Sequence, residues 1–201
     1  IPGPDCLTIK QRRPPYRKAA VRAFGGTARR TAMLAEILVL IVFPALLLAA
    51  AGWDIASYTI PNAISLILLG TFAVFALAVG MTPSALGFHV AAGIAGLAFG
   101  FFLFAFGFVG GGDAKLFACT ALMLGFHDLL EYALLASILG GALTLGILAL
   151  RRIPLPHFMA VQGWIMRLHD GQEGIPYGVA LALAAFILLP HTEIFQIASG
   201  V

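Results

Sequence analysis

The sequence predicts an all-α integral membrane protein of about six transmembrane helices, and three observations carry that prediction. Of 201 residues, 61% are hydrophobic and only 10% are charged, and the mean hydropathy is +0.99. Soluble domains carry roughly 25% charged residues, and no single soluble core could hide this much apolar surface. The apolar runs are also continuous. In lipid only helices and closed barrels satisfy their backbone polar groups, and a barrel would show short alternating segments between turns.

The runs are 34–52, 62–80, 84–107, 114–126, 129–150 and 176–190. Spanning takes about 20 residues, and four of the runs reach that. The run 114–126 is short and must tilt, thin the bilayer or borrow from its flanks. The last run is also short and is expected to extend to 197. Thr82-Pro83-Ser84 and His127-Asp128 read as tight turns. The long connection, 151–175, mixes Arg151, Arg152, Arg167, His169, Asp170 and Glu173 with Phe158, Met159, Val161, Trp164, Ile165 and Met166. That mixture suits an amphipathic segment lying on the membrane surface.

Residues 1–32 carry eight Lys/Arg and one acid, against four Lys/Arg and eight acids from 33 onward. The segment lacks apolar periodicity, holds Pro14-Pro15 and Gly25-Gly26, and is expected to be disordered. The chain therefore divides into this basic stretch and a membrane-embedded domain over 33–201. Positive charge favours cytoplasmic loops, so Arg151, Arg152 and Arg167 place the 151–175 loop in the cytoplasm, together with the 53–61 and 108–113 loops. Both ends of the 33–201 domain then lie outside. The basic stretch conflicts with that orientation, which favours sequence foreign to the mature protein over a native arm on anionic lipid. Its charge is not a nucleic-acid footprint of the folded part, and no nucleic-acid partner is expected.

Cys6 and Cys119 have no CxxC partner, and His89, His127, His157, His169 and His191 lack metal-ligand spacing. They read as interfacial or loop residues, with no metal site among them.

Two acids stand at helix ends on one face of the membrane. Asp54 follows the first run, in Trp53-Asp54-Ile55-Ala56-Ser57-Tyr58-Thr59-Ile60-Pro61-Asn62. Asp113 precedes the fourth, in Gly110-Gly111-Gly112-Asp113-Ala114-Lys115-Leu116. A carboxylate in hydrocarbon costs about 2.5–3.5 kcal/mol on insertion scales, so such acids usually face an interior or watery cavity. The glycine run lets backbone approach closely and allows positive φ. Gly96-xxx-Gly100, by contrast, reads as helix packing. Pro61-Asn62 breaks the chain before the second helix. If the two acids meet, they share one proton. The ionised acid takes a proton from water, which attacks a peptide carbonyl. The protonated acid polarises that carbonyl and helps the amine leave. No metal, cofactor or covalent intermediate is required.

Asp54 with Ile60-Pro61-Asn62, then Gly110-Gly111-Gly112-Asp113-Ala114-Lys115-Leu116, then Ile175-Pro176-Tyr177-Gly178-Val179-Ala180 resembles the type IV prepilin peptidase family of GxGD aspartyl proteases over about residues 34–190. The resemblance implies that Asp54 and Asp113 are the catalytic aspartates and Gly110 and Gly112 the motif glycines. It further implies prepilin leader cleavage after a glycine at the cytoplasmic face of the bacterial inner membrane, with prepilin, the bilayer and other pilus or secretion assembly proteins as partners. Lys115 matches the basic residue that often follows the motif, and also reads as a snorkelling side chain. Pro176-Tyr177-Gly178 matches a family signature, and also reads as packing beside the site. The sequence shows no methyltransferase region with paired CxxC motifs, and so is similar to the short form found with Flp-type pili of tight-adherence systems. Three other readings compete: a proton-coupled transporter, a non-catalytic secretion-system subunit, and a GxGD protease of the signal-peptide or presenilin kind. The transporter predicts midspan acids and an internal repeat, neither of which the sequence shows. The assembly subunit would tolerate loss of either acid. Ile60-Pro61-Asn62 and Pro176-Tyr177-Gly178 speak for the prepilin class over the third.

Overall fold

A computed structural model describes residues 27–152, 163–170 and 174–200. Among them every regular element is helical. The first helix runs as α1 (Thr27–Ile37), a π-helical turn (Leu38–Val42) and α2 (Phe43–Ser57). It is followed by α3 (Asn62–Val79), α4 (Pro83–Ala105), α5 (Gly111–Leu124), α6 (Leu129–Leu150) and the short α7 (Gly163–His169). α8 (Tyr177–Leu188), a 3₁₀ turn (Leu189–His191) and α9 (Glu193–Ser199) close the chain.

Local chemistry sets most boundaries. Pro44 lacks an N–H, and just before it Phe43 N–H donates to Leu38 O, closing the wider π turn without breaking the helix. α2 ends where Tyr58 adopts a left-handed conformation, φ 52°, and donates its N–H to Asp54 O. Gly80, φ 62°, ends α3 in the same way. The side chain of Thr82 caps α4, with Pro83 in the first turn.

Each of the six apolar runs forms a helix. Among the described residues, four stretches are long and apolar enough to cross a membrane: Arg29–Ser57, Asn62–Val79, Pro83–Ala105 and Leu129–Leu150. The pair Tyr177–His191 and Glu193–Ser199, bent by 57°, makes a fifth if taken as one span. α5 has 14 residues, and at about 1.5 Å per residue it is too short for a bilayer core. It is also the helix at the centre. Ten of its residues are buried, from Asp113 to Leu124, whereas the long helices turn most of their side chains outward. A helix sheathed by protein need not match the lipid thickness.

The helices sort by end. The connections at Ser57–Asn62 and Ala105–Gly111, the end of α6 and the start of α8 lie at one end of the bundle, and the connections at Gly80 and Gly125 at the other, where α9 packs on α1. α4 packs along α5 at the contact expected of Gly96-xxx-Gly100. A Cβ on Gly96 would come within 2.9 Å of Ala121 Cβ, and one on Gly100 within 2.9 Å of Ala114 Cα. The core joins Phe43, Leu47, Leu68, Phe75, Leu116, Met123, Tyr132 and Ala185, with Tyr132 stacked on Phe117.

Two features differ from the sequence expectation. Residues 27–32 are helical rather than disordered; residues 1–26 lie outside the described residues. His89 is not interfacial. It is buried within α4, its Nδ1 2.8 Å from Leu122 O and its ring beside Phe72. Here it pairs with a carbonyl of the last turn of α5, an acceptor that the helix itself leaves open. In the long connection, α7 exposes Trp164 and Met166. Arg151 ties the region together, donating through Nε to Leu168 O and through Nη2 to Gly174 O. The expected surface segment over 153–162 and 171–173 lies outside the described residues.

Candidate active site

Asp54 sits in the last turn of α2, inside the helix rather than in the loop after it. Asp113 is the third residue of α5. Both are buried, 4% and 8% exposed. They line one cavity of about 270 Å³ together with Tyr58, Thr59, Ile60, Asn62, Gly110 to Gly112 and Lys115.

Each carboxyl is held by an amide at a helix start. The first turn of any helix has N–H groups without intrahelical partners, and these favour negative charge. Gly178, second residue of α8, donates its N–H to Asp54 Oδ2 at 2.7 Å. Gly110, preceding α5, donates its N–H to Asp113 Oδ2 at 3.1 Å, the reach-back of a capping residue. The Gly178 amide also interacts with the Asp113 carboxyl, and the two carboxyls interact electrostatically with each other. Asp113 Oδ1 is buried without a hydrogen-bond partner.

The glycines serve close approach rather than unusual backbone. None of Gly110, Gly111 and Gly112 has positive φ. A Cβ on Gly112 would lie 3.1 Å from Ile60 Cβ and 3.3 Å from Ile60 N. On Gly110 it would lie 3.1 Å from Asp113 Oδ2. On Gly111 it would meet only the Phe104 ring at 3.5 Å, an ordinary contact. Gly178 is the most confined: a Cβ there would be 2.8 Å from Asp54 Oδ2 and 3.0 Å from Ile60 Cδ1.

Ile60 therefore sits where three sequence elements meet. It is 8% exposed and fills the space left by both Gly112 and Gly178. Composition favoured no role for it beyond its place before Pro61, and it is the site residue that the reading of charges and glycines passed over. Pro61 caps α3 with φ −58° and ψ 136°. Asn62 opens that helix, and its Oδ1 accepts from Lys115 Nζ at 2.9 Å. Lys115 thus bridges α5 to α3 at the cavity rim rather than reaching only to headgroups. Tyr177 packs against Gly140, where a Cβ would meet its ring at 3.2 Å, and its hydroxyl pairs with Thr144 Oγ1 at 3.3 Å. Pro176 is the residue before α8 that aims the Gly178 amide. Among the described residues no three His, Cys, Asp or Glu side chains cluster as a metal site.

No curated protein and no solved structure matches the chain. A family model does, that of the type IV leader peptidase family, over residues 41–145. The match contains Asp54, Asn62 and Gly110 to Lys115 and stops before Tyr177 and Gly178, which the fold alone brings to the same cavity. Two buried acids at one end of a helical membrane bundle, and a family match over more than half its length, lead to one conclusion: the chain belongs to the type IV leader peptidase family, the aspartic peptidases that cleave the leader peptides of prepilins.

Proposed function

We propose that Asp54 and Asp113 are the catalytic pair of this leader peptidase, and that cleavage follows a glycine at the cytoplasmic face of the bacterial inner membrane. The observation that carries the reading is that both acids, from separate helices, are buried against one cavity in a chain with few other acids. Such an arrangement in a membrane protein is costly and is kept for a task.

The chemistry follows from the partners. Two neighbouring carboxyls hold one proton between them. The acid that is ionised takes the proton from the attacking water. The other carries the shared proton and polarises the scissile carbonyl, and Asp113 Oδ1 is a carboxyl oxygen left without a hydrogen-bond partner. That proton then passes to the departing amine. Orientation is supported by Arg151, Arg152 and Arg167 at the end of the bundle that carries the acids. Likeness to the Flp-associated form makes short Flp-type prepilins the first substrates to try, with pilus assembly proteins as further partners.

The test is processing of a prepilin in membranes containing Asp54→Asn or Asp113→Asn. Each should lower cleavage about 10²–10⁴-fold, the usual contribution of general acid–base catalysis, with insertion unchanged. Substantial processing by either variant would remove that residue from the chemistry.

A further inference from the structure

A second cavity, of about 210 Å³, adjoins the first and shares Asp113 with it. It lies between α4 and α6. These two helices both pack on α5 or α8 and scarcely touch each other. From α4 it is bordered by Phe99 and Leu103, and from α6 by Ala133, Ala136, Ser137 and Gly140. The spacing of those four, with steps of three, one and three, puts them on one helix face. The face is small, of the kind that lets a second helix approach closely in lipid; Tyr177 and Ala180 of α8 floor it at Ala136 and Gly140, and Ser137 is its exposed member.

Its polar groups are already satisfied, with one exception. Ser137 Oγ donates back to Ala133 O at 2.7 Å, and Tyr177 pairs with Thr144. The exception is Asp113, 8% exposed, whose Oδ1 has no partner. An apolar groove between two membrane helices, ending on an uncommitted acid, fits an apolar helix whose N-terminal end is unwound at that acid. From Ala133 to Gly140 the groove wall runs about 10 Å along the helix axis, the length of two turns of an occupant lying over the α8 floor.

We propose that the α4–α6 groove binds the first two turns of the prepilin hydrophobic helix, the segment immediately after the scissile bond; this rests on the leader peptidase reading above. The groove then sets which bond reaches the acids. An unwound residue at Asp113 is followed by helix lying against Ala133, Ala136, Ser137 and Gly140, so the cut falls at the junction between leader and helix. A lipid acyl chain is the competing occupant, and the experiment separates the two.

Ser137 is exposed in the groove, and Ile138, its neighbour, points to the outside at 67% exposure. Ser137→Trp should fill the groove without disturbing the core, and Ile138→Trp serves as the control. Each is assayed with a full-length prepilin and with a short peptide spanning the scissile bond but lacking the hydrophobic segment. In parallel, a photo-crosslinking side chain is placed at 137 or 138 and irradiated with full-length prepilin in membranes. The expected result is at least tenfold slower cleavage of full-length prepilin by Ser137→Trp, with less than twofold change on the short peptide. Cross-linking to the prepilin should occur from 137 and not from 138. Equal loss on both substrates, no loss on either, or prepilin cross-links equal at the two positions would each overturn the proposal; lipid adducts alone at 137 would assign the groove to lipid. Cross-linking does not depend on turnover. If Asp113→Asn proves active while 137 still cross-links to prepilin, the dyad fails and the groove stands.

Discussion

The amide of Gly178 donates to the carboxylate of Asp54 across 124 residues of sequence, at 2.7 Å. This contact gives the Pro176-Tyr177-Gly178 element a physical role. It starts α8 where its first-turn amide meets an acid on α2, and it must do so with glycine, because a side chain would occupy the space of Asp54 Oδ2 and Ile60 Cδ1.

Gly178→Ala should therefore displace Asp54 and lower prepilin cleavage by about 100-fold, the scale of a misplacement near 1 Å at reacting groups. Gly174→Ala is the comparison, since nothing lies within 4 Å of its Cβ position. Both proteins should insert in the membrane in equal amounts. Equal activity of the two variants would show that the close approach at Gly178 has no bearing on the acids.

The glycines before Asp113 should separate in the same way. Gly112→Ala presses on the Cβ and backbone N of Ile60, which cannot swing aside, and overpacking of this kind costs about 1–3 kcal/mol. Gly111→Ala makes an ordinary contact with Phe104 and gains helix propensity, up to about 1 kcal/mol. Thermal unfolding in detergent should place Gly112→Ala below the parent and Gly111→Ala at or above it. The reverse order would refute the packing account of the motif.

Lys115 and Asn62 form an exposed bridge between α5 and α3. Exposed polar pairs of this kind contribute about 0.2–1 kcal/mol. Lys115→Met and Asn62→Ala should each cause a small loss of stability, and a double-mutant cycle should return a coupling of that size. Zero coupling would mean that the two side chains act separately at the cavity rim.

On the substrate side, cleavage should fall as the residue before the scissile bond grows from Gly to Ala, Val and Leu. Glycine unwinds at little cost and leaves the backbone open to both acids, while an intact helix would shield the scissile carbonyl and its amide. The readout is mature pilin in membranes containing this enzyme. Equal processing of the Gly and Leu substrates would end this account of specificity and leave the dyad untouched.

Several features were legible in the chain itself. Helical spans follow from uninterrupted apolar runs, because lipid permits no other use of such runs. The positions of Asp54 and Asp113 stood out because charge is rare there, and Gly96 and Gly100 followed the spacing of a packed helix face. These are local signals, set by composition and period.

Tertiary structure decided the rest. α5 is shorter than a span yet central, which length and hydropathy cannot express, because burial by protein replaces burial by lipid. His89 looks polar in sequence and is buried, because only the fold supplies the Leu122 carbonyl it meets. Of the two uses that the glycine run suggested, close approach and positive φ, the fold takes the first: Ile60, in the loop between α2 and α3, packs against Gly112. Gly178 carried no sign of a bond to Asp54. A residue without a side chain acts only through its amide and the room it leaves. Both depend on what the folded chain places beside it.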